Sequence, residues 1–182
     1  MDDRRISFDP FSPKEIAEKV ETVGVAKAHM PTLQTLMLGA VAGGFIGLGA
    51  LYYTLVVSDA QLSFGVARVL GGVVFSLGLI LVVIAGAELF TGNNLLVMAW
   101  ADRRITTLEV LRNWTLVYIA NAAGAIGLAV VVYLSHHADM NGGAVALTYL
   151  KIAAAKTALP FGEAFFKACC ATCWCALRYG SP

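Results

Sequence analysis

The chain has 182 residues, 58% of them hydrophobic and 14% charged, with a mean hydropathy of +0.73. A soluble domain carries about 25% charged and about 45–50% apolar residues, so this composition reads as an integral membrane protein. A formal net charge of +1 leaves no basic field for nucleic acid.

Residues 1–30 are the soluble-looking segment, with acids and no apolar core of the kind a cleavable signal peptide needs. Residues 8–11 (Phe8-Asp9-Pro10-Phe11) read as an extended lead-in. Ser12-Pro13-Lys14-Glu15 forms a capping box with proline at the first helical position. Ile16, Val20 and Val23 follow at helical spacing, with Lys14, Glu18, Lys19, Glu21 and Lys27 on other faces. The expectation is an amphipathic helix lying on the membrane; the sharper alternative is a movable gate at a pore mouth.

Residues 31–58 carry no charge and exceed the roughly 20 residues that a crossing needs. Gly39, Gly43 and Gly47 repeat at four-residue spacing, a packing face for a close neighbour. Tyr52 and Tyr53 sit near the far end, where an aromatic belt belongs. A polar loop is expected over 58–67, with Arg68 opening the second span. Phe75 and Leu79 lie one turn apart and share a face, either to narrow a pore or simply to pack.

Residues 69–87 and 89–101 are uncharged runs that one polar stretch interrupts. Glu88, Thr91, Gly92, Asn93 and Asn94 stand there. A lipid-exposed break costs several kcal/mol per unsatisfied backbone group, so such breaks survive only when buried in protein or lining a cavity. A carboxylate at that depth is a functional-site candidate, and two half-helices meeting at a polar break are a common way to build a transport site. Asp102-Arg103-Arg104 closes the second half-helix.

The third span covers 108–135, with Asn113-Trp114 at its start and Asn121 inside it. Asn121 should bond across to freed backbone near Thr91. His136 and His137 stand in a loop over 136–143 and read as solvated rather than metal-bound. Lys14, Lys19 and Lys27 precede the first span, and Arg103 and Arg104 follow the second. The loops at 58–66 and 136–143 have no Lys or Arg. The positive-inside rule then puts the N-terminal segment and the 102–107 loop in the cytoplasm. Residues 144–159 form a short helical stretch with Lys151 and Lys156, and Pro160 starts a fresh helix. Lysines on the far side run against the simple charge rule, so one of them reads as an anion attractor or as a snorkelling side chain. All four cysteines fall within 169–175. Cys170-x-x-Cys173 has a zinc-site spacing, but no second CxxC and no neighbouring histidine accompany it, so no metal is expected.

The stretch Ile84-Ala85-Gly86-Ala87-Glu88-Leu89-Phe90-Thr91-Gly92-Asn93 resembles the signature of the formate/nitrite transporter family. The resemblance covers about residues 1–167. It implies an aquaporin-like fold of six spans in two inverted halves, each with a broken helix. It also implies a homopentamer in the cytoplasmic membrane, one pore per protomer, passing formate, nitrite or hydrosulfide. No covalent chemistry follows, so neither an enzyme nor a cofactor is expected. By position, Phe75 and Leu79 resemble the cytoplasmic constriction. Leu89, Phe90 and Thr91 resemble the constriction and polar loop at the break, with Thr91 able to hydrogen-bond the anion. Lys156 is similar to a vestibule lysine that attracts anions. Glu88, Asn93 and Asn121 are its structural polar groups.

The resemblance also marks residues 168–182 as aberrant. Family members continue after the lysine at 167 with a Gly-x-Leu-Cys-Asn segment, and the chain has Thr172 where that pattern puts an asparagine. Codons can be chosen for 167–180 that, read two bases later, spell Gly-Val-Leu-Cys-Asn-Leu-Leu-Val-Cys-Ala-Ala-Val-Trp. The expectation is therefore a frameshifted copy holding the N-terminal half of the fold, three spans and the start of a fourth. Its domains are a segment over 1–30, a partial channel domain over 31–167 and a tail over 168–182. A formate channel is the leading reading. The alternatives are a nitrite or hydrosulfide channel, a non-conducting membrane fragment, and a redox or metal-binding membrane protein built on Cys169, Cys170, Cys173 and Cys175.

Overall fold

A computed structural model describes residues 12–59 and 61–179, with side chains to Cys173; the lead-in expected over 8–11 and the Cys175 side chain lie outside them. The helices run α1 Pro13–Ala28, α2 Thr32–Val57, α3 Phe64–Ile84, α4 Phe90–Asn93, α5 Leu96–Ala101, α6 Thr107–Leu134, α7 Ala144–Thr157 and α8 Phe161–Tyr179. Two short 3₁₀ turns join α6 to α7. No strand occurs among the described residues.

Three helices, α2, α3 and α6, are long and apolar enough to cross a membrane. They pack as a layer with α2 in the middle, against α3 on one side and α6 on the other. Lipid supplies no hydrophobic drive between helices, so close approach has to come from small residues. The α2 glycines provide it. A Cβ on Gly43 would lie 2.0 Å from the carbonyl oxygen of Asn121, and one on Gly124 would lie 1.8 Å from that of Ala40. The glycine face expected on α2 is thus the α6 interface.

The capping box at the start of α1 is present: Glu15 N–H donates to Ser12 Oγ, and Ser12 N–H donates to Glu15 Oε2 at 2.6 Å. Hydrogen bonds to the carboxyl from the Ser12 backbone N–H and side chain hold Glu15 below its ordinary value. A second box, Thr106 with Glu109, starts α6. The packing face of α1 differs from the expected one. Gly24 and Ala28 are its buried residues, whereas Val23 is exposed. Ala28 joins Leu96, Ala99, Ile105 and Val110 in a small core, with Gly24 against Ala99. Small side chains let α1 lie close on α5, and bulkier Val23 would hold it off.

The second span also begins earlier than expected. The α3 helix starts at Phe64, so Arg68 lies a turn inside it and the loop shrinks to 58–63. Arg68 is satisfied there: its Nη1 donates to Tyr53 Oη at 2.6 Å, and its guanidinium lies 5.1 Å from the Phe64 ring centre. The chain bends by 107° between α7 and α8 around Pro160, since proline cannot continue a helical ladder. The α8 helix continues through the cysteine-bearing stretch and packs against α4.

Candidate functional site

The broken span is built by a helix stop, an extended link and a single helical turn. Gly86 has φ +61°, a left-handed conformation that glycine adopts without a Cβ penalty. With it, Ala87 N–H donates to Val82 O at 3.0 Å and Gly86 N–H to Val83 O at 3.2 Å. This pair of bonds is a Schellman motif, and it satisfies carbonyls at the end of α3, where Ile84, Ala85 and Gly86 are exposed and burial resumes at Ala87. The chain then extends through Leu89, with Glu88 N–H donating to Leu38 O at 3.3 Å. One turn, α4, follows before α5.

Asn121 on α6 stitches this link. Its Nδ2 donates to Gly39 O and to Glu88 O, both at 2.8 Å, and its Oδ1 accepts from Phe90 N–H at 3.0 Å. The expected bond to freed backbone near Thr91 thus falls on the two residues around Leu89, and it also reaches α2.

Glu88 does not face open space. It is 2% exposed, and its Oε1 lies 2.9 Å from Lys27 Nζ. Asn93 Nδ2 donates to Glu88 Oε2 at 2.7 Å and to Asn113 Oδ1 at 3.0 Å, and Lys27 Nζ donates to Asn93 Oδ1 at 3.0 Å. Asn113 Nδ2 returns to Lys27 O at 3.2 Å, and Trp114 Nε1 donates to Asn93 O at 3.0 Å. The ring closes across α1, the break and α6. A buried charge is tolerated when it is paired and its remaining lone pairs are bonded, and both carboxylate oxygens meet that condition. Lys27, which periodicity places off the apolar face of α1, therefore points toward the break with its side chain 26% exposed.

Other contacts fasten the end of α1. Arg112 donates to Ala28 O, Met30 O and Thr32 Oγ1, the last at 2.6 Å. His29 Nε2 lies 2.8 Å from Glu109 Oε1. Lys27, Arg112 and Trp114 were not legible as site-building residues, because their partners come from 21 to 86 positions away. The Gly86 stop had a signal: glycine just past an apolar run that continues as polar residues.

Phe90 is half-buried and meets the ring edges of Trp114 and Tyr118. Thr91 Oγ1 is buried with no hydrogen-bond partner among the described residues. Leu89 is half-buried and packs on the cluster of Ala42, Val82 and Ala87. On α3, Phe75 is exposed and Leu79 half-buried. Lys156 is exposed in the last turn of α7, outside the network at the break. His136 lies 3.5 Å from Asp139. Among the described residues no group of three or more His, Cys, Asp or Glu could hold a metal, and Cys169, Cys170 and Cys173 are free thiols on the surface. An apolar cavity of about 360 Å³ between α2, α6 and α7, lined by residues such as Leu51, Leu128 and Tyr149, includes none of the named pathway residues.

The family model for formate/nitrite transporters matches residues 14–179. The chain belongs to that family. It is 34% identical over 165 residues to the formate channel FocA of Haemophilus influenzae, covering 90% of this chain and 58% of the relative. It is 38% identical over 158 residues to the formate channel FocA of Escherichia coli K12, covering 86% and 55%. The chain thus spans a little over half the length of these relatives. Among solved structures it resembles a pentameric formate channel with formate bound, with a TM-score of 0.66 and 34% identity over 74% of this chain and 53% of that one. A second likeness, to an ion channel of the same family, has a TM-score of 0.63 at 23% identity and bears on the fold alone. The all-α membrane fold with a broken second span is therefore that of part of a formate/nitrite transporter.

Proposed function

We propose that the chain carries small monovalent anions across a membrane, formate foremost, by passage rather than covalent chemistry. Two relatives bearing the name of formate channels, and a solved likeness with formate bound, support that cargo. The observation that carries the reading is the Thr91 hydroxyl, buried at the break and without a partner among the described residues. An unpaired buried hydroxyl costs about 1–3 kcal/mol, and a passing carboxylate accepting its hydrogen bond would recover that cost. Glu88 is neutralised by Lys27, so the break does not present a bare negative charge to an anion. Leu89 and Phe90 beside the hydroxyl, with Phe75 and Leu79 further along, would form apolar narrowings that strip hydrated ions. Lys156 would concentrate the anion on the non-cytoplasmic side. In this reading the N-terminal segment is cytoplasmic, the membrane is the cytoplasmic one, and the assembly is a homopentamer.

The test is uptake into lipid vesicles holding the purified chain, with formate, nitrite and hydrosulfide side by side. Thr91→Val keeps the volume and removes the hydroxyl. Formate flux should fall about tenfold in that variant, the equivalent of about 1.4 kcal/mol for one hydrogen bond, with oligomer size unchanged. A variant that fails to insert would make the break structural. A chain that carries none of the three anions would be a non-conducting membrane fragment.

A further inference from the structure

We infer that Tyr118 and Trp114 of α6 form an aromatic bracket that sets the width of the passage at Phe90, and so decides which carboxylates pass. The inference rests on the anion-pathway reading above and adds its size selection. Phe90 opens α4, a helix of four residues with no side-chain cap. So short a helix cannot orient a ring by itself. Its neighbours on α6 do so. The Phe90 and Tyr118 ring centres lie 5.6 Å apart with planes at 74°, and the Phe90 and Trp114 centres 6.3 Å apart at 63°. Both are edge-to-face arrangements, the geometry that ring quadrupoles favour. The two contacts come from positions one turn apart on α6, and both bear on the same ring.

The same face of α6 also holds the backbone beneath the ring. Residues 114, 118 and 121 recur at spacings of four and three and share one stripe. Asn121 Oδ1 accepts the Phe90 N–H, and Trp114 Nε1 donates to Asn93 O at the far end of α4. Both ends of the turn and its ring are therefore referenced to one continuous helix of 28 residues. Trp114 has a second duty in that hydrogen bond. Tyr118 is 64% exposed, and its side chain makes no interaction among the described residues other than the ring contact. Tyr118 is the positioning residue that can be changed with least harm to the fold, and its loss would free one side of the Phe90 ring.

The experiment measures acetate and formate flux into vesicles for the unmodified chain, Tyr118→Ala and Tyr118→Phe. Acetate differs from formate by one methyl group, and one carbon in a tight apolar passage is worth about tenfold or more. The acetate-to-formate ratio should rise by about tenfold in Tyr118→Ala and stay at the unmodified value in Tyr118→Phe, which keeps the ring edge. A merely structural role would lower both fluxes together and leave the ratio alone. An unchanged ratio in Tyr118→Ala overturns the bracket, as does a raised ratio in Tyr118→Phe, which would assign the effect to the hydroxyl. Should Tyr118→Ala fail to reconstitute, Tyr118→Leu supplies the same ratio. No formate flux from the unmodified chain overturns the anion-pathway reading and the bracket with it; formate flux with an unchanged ratio overturns the bracket alone.

Discussion

The ends of α1 and α7 are written alike. Each has a lysine next to its last helical residue and a proline four positions later, followed at once by a new helix: Lys27, Pro31 and α2 in one case, Lys156, Pro160 and α8 in the other. Both lysines sit where a cation favours the negative end of the helix dipole. Their surroundings then diverge. Lys27 meets Glu88 and Asn93 at the break and is three-quarters buried, whereas Lys156 is exposed and its side chain makes no hydrogen bond or ion pair among the described residues. One local grammar thus yields a structural cation at α1 and an accessible one at α7. What decides between them is the element that the rest of the chain brings opposite.

The sharpest way to break this comparison is to remove each ammonium in turn. Lys27→Ala leaves Glu88 buried without its counter-charge. Losing one partner of a buried pair costs about 3–5 kcal/mol, which should appear as a large fall in the thermal midpoint of the detergent-solubilised protein. Lys156→Ala removes an exposed side chain and should move stability by less than about 0.5 kcal/mol. If the two variants melt alike, the contrast between the ends is wrong. The same Lys156→Ala chain should take up formate about tenfold more slowly if the exposed lysine concentrates anions. Unchanged uptake would make it an interfacial anchor.

A smaller effect is expected at Asn121. Asn121→Leu leaves Phe90 N–H and Glu88 O unpaired at the break, at a cost of about 1–3 kcal/mol. Amide exchange should speed up at Phe90 and leave the first turn of α1 unchanged. Uniform exchange would mean that the carboxamide does not hold the link. The smallest effect concerns the other end of α1. Glu15 has its carboxyl held below 4.5 by the Ser12 hydrogen bonds. A depressed carboxylate contributes stability above its unfolded value, and that contribution is lost as pH falls through the lower folded value. Acidification below about pH 4.5 should therefore fray the first turn of α1, read as faster amide exchange at Glu15, while the Lys27 end remains protected. Equal fraying at both ends would mean that the network at the break does not anchor the helix.

Much of the site was legible from local chemistry. The polar interruption around Glu88 stands out because hydrocarbon penalises it. The capping box at Ser12 and the glycine spacing of α2 each follow from contacts within a turn or along one face. Asn121 was legible as a cross-bonding residue because a lone amide in a span needs a partner. Its particular acceptors were not, because they depend on how far α6 slides along α2. The inward turn of Lys27 was illegible for a related reason: helical periodicity sorts residues into faces, but it does not say which face a neighbour will cover.

The sequence by itself determined the membrane class, the three long spans, the position of the break and the family, because these depend on hydrophobic length, turn chemistry and a ten-residue signature. Only the tertiary structure decided that Glu88 is an ion-pair partner and not an open charge, that the Thr91 hydroxyl is buried and unpaired among the described residues, and that α6 brings Trp114 and Tyr118 against the Phe90 ring. Each of these is set by contacts between residues distant in the chain. Whether a polar atom at membrane depth is satisfied or left for a ligand depends on that packing, which no local pattern encodes.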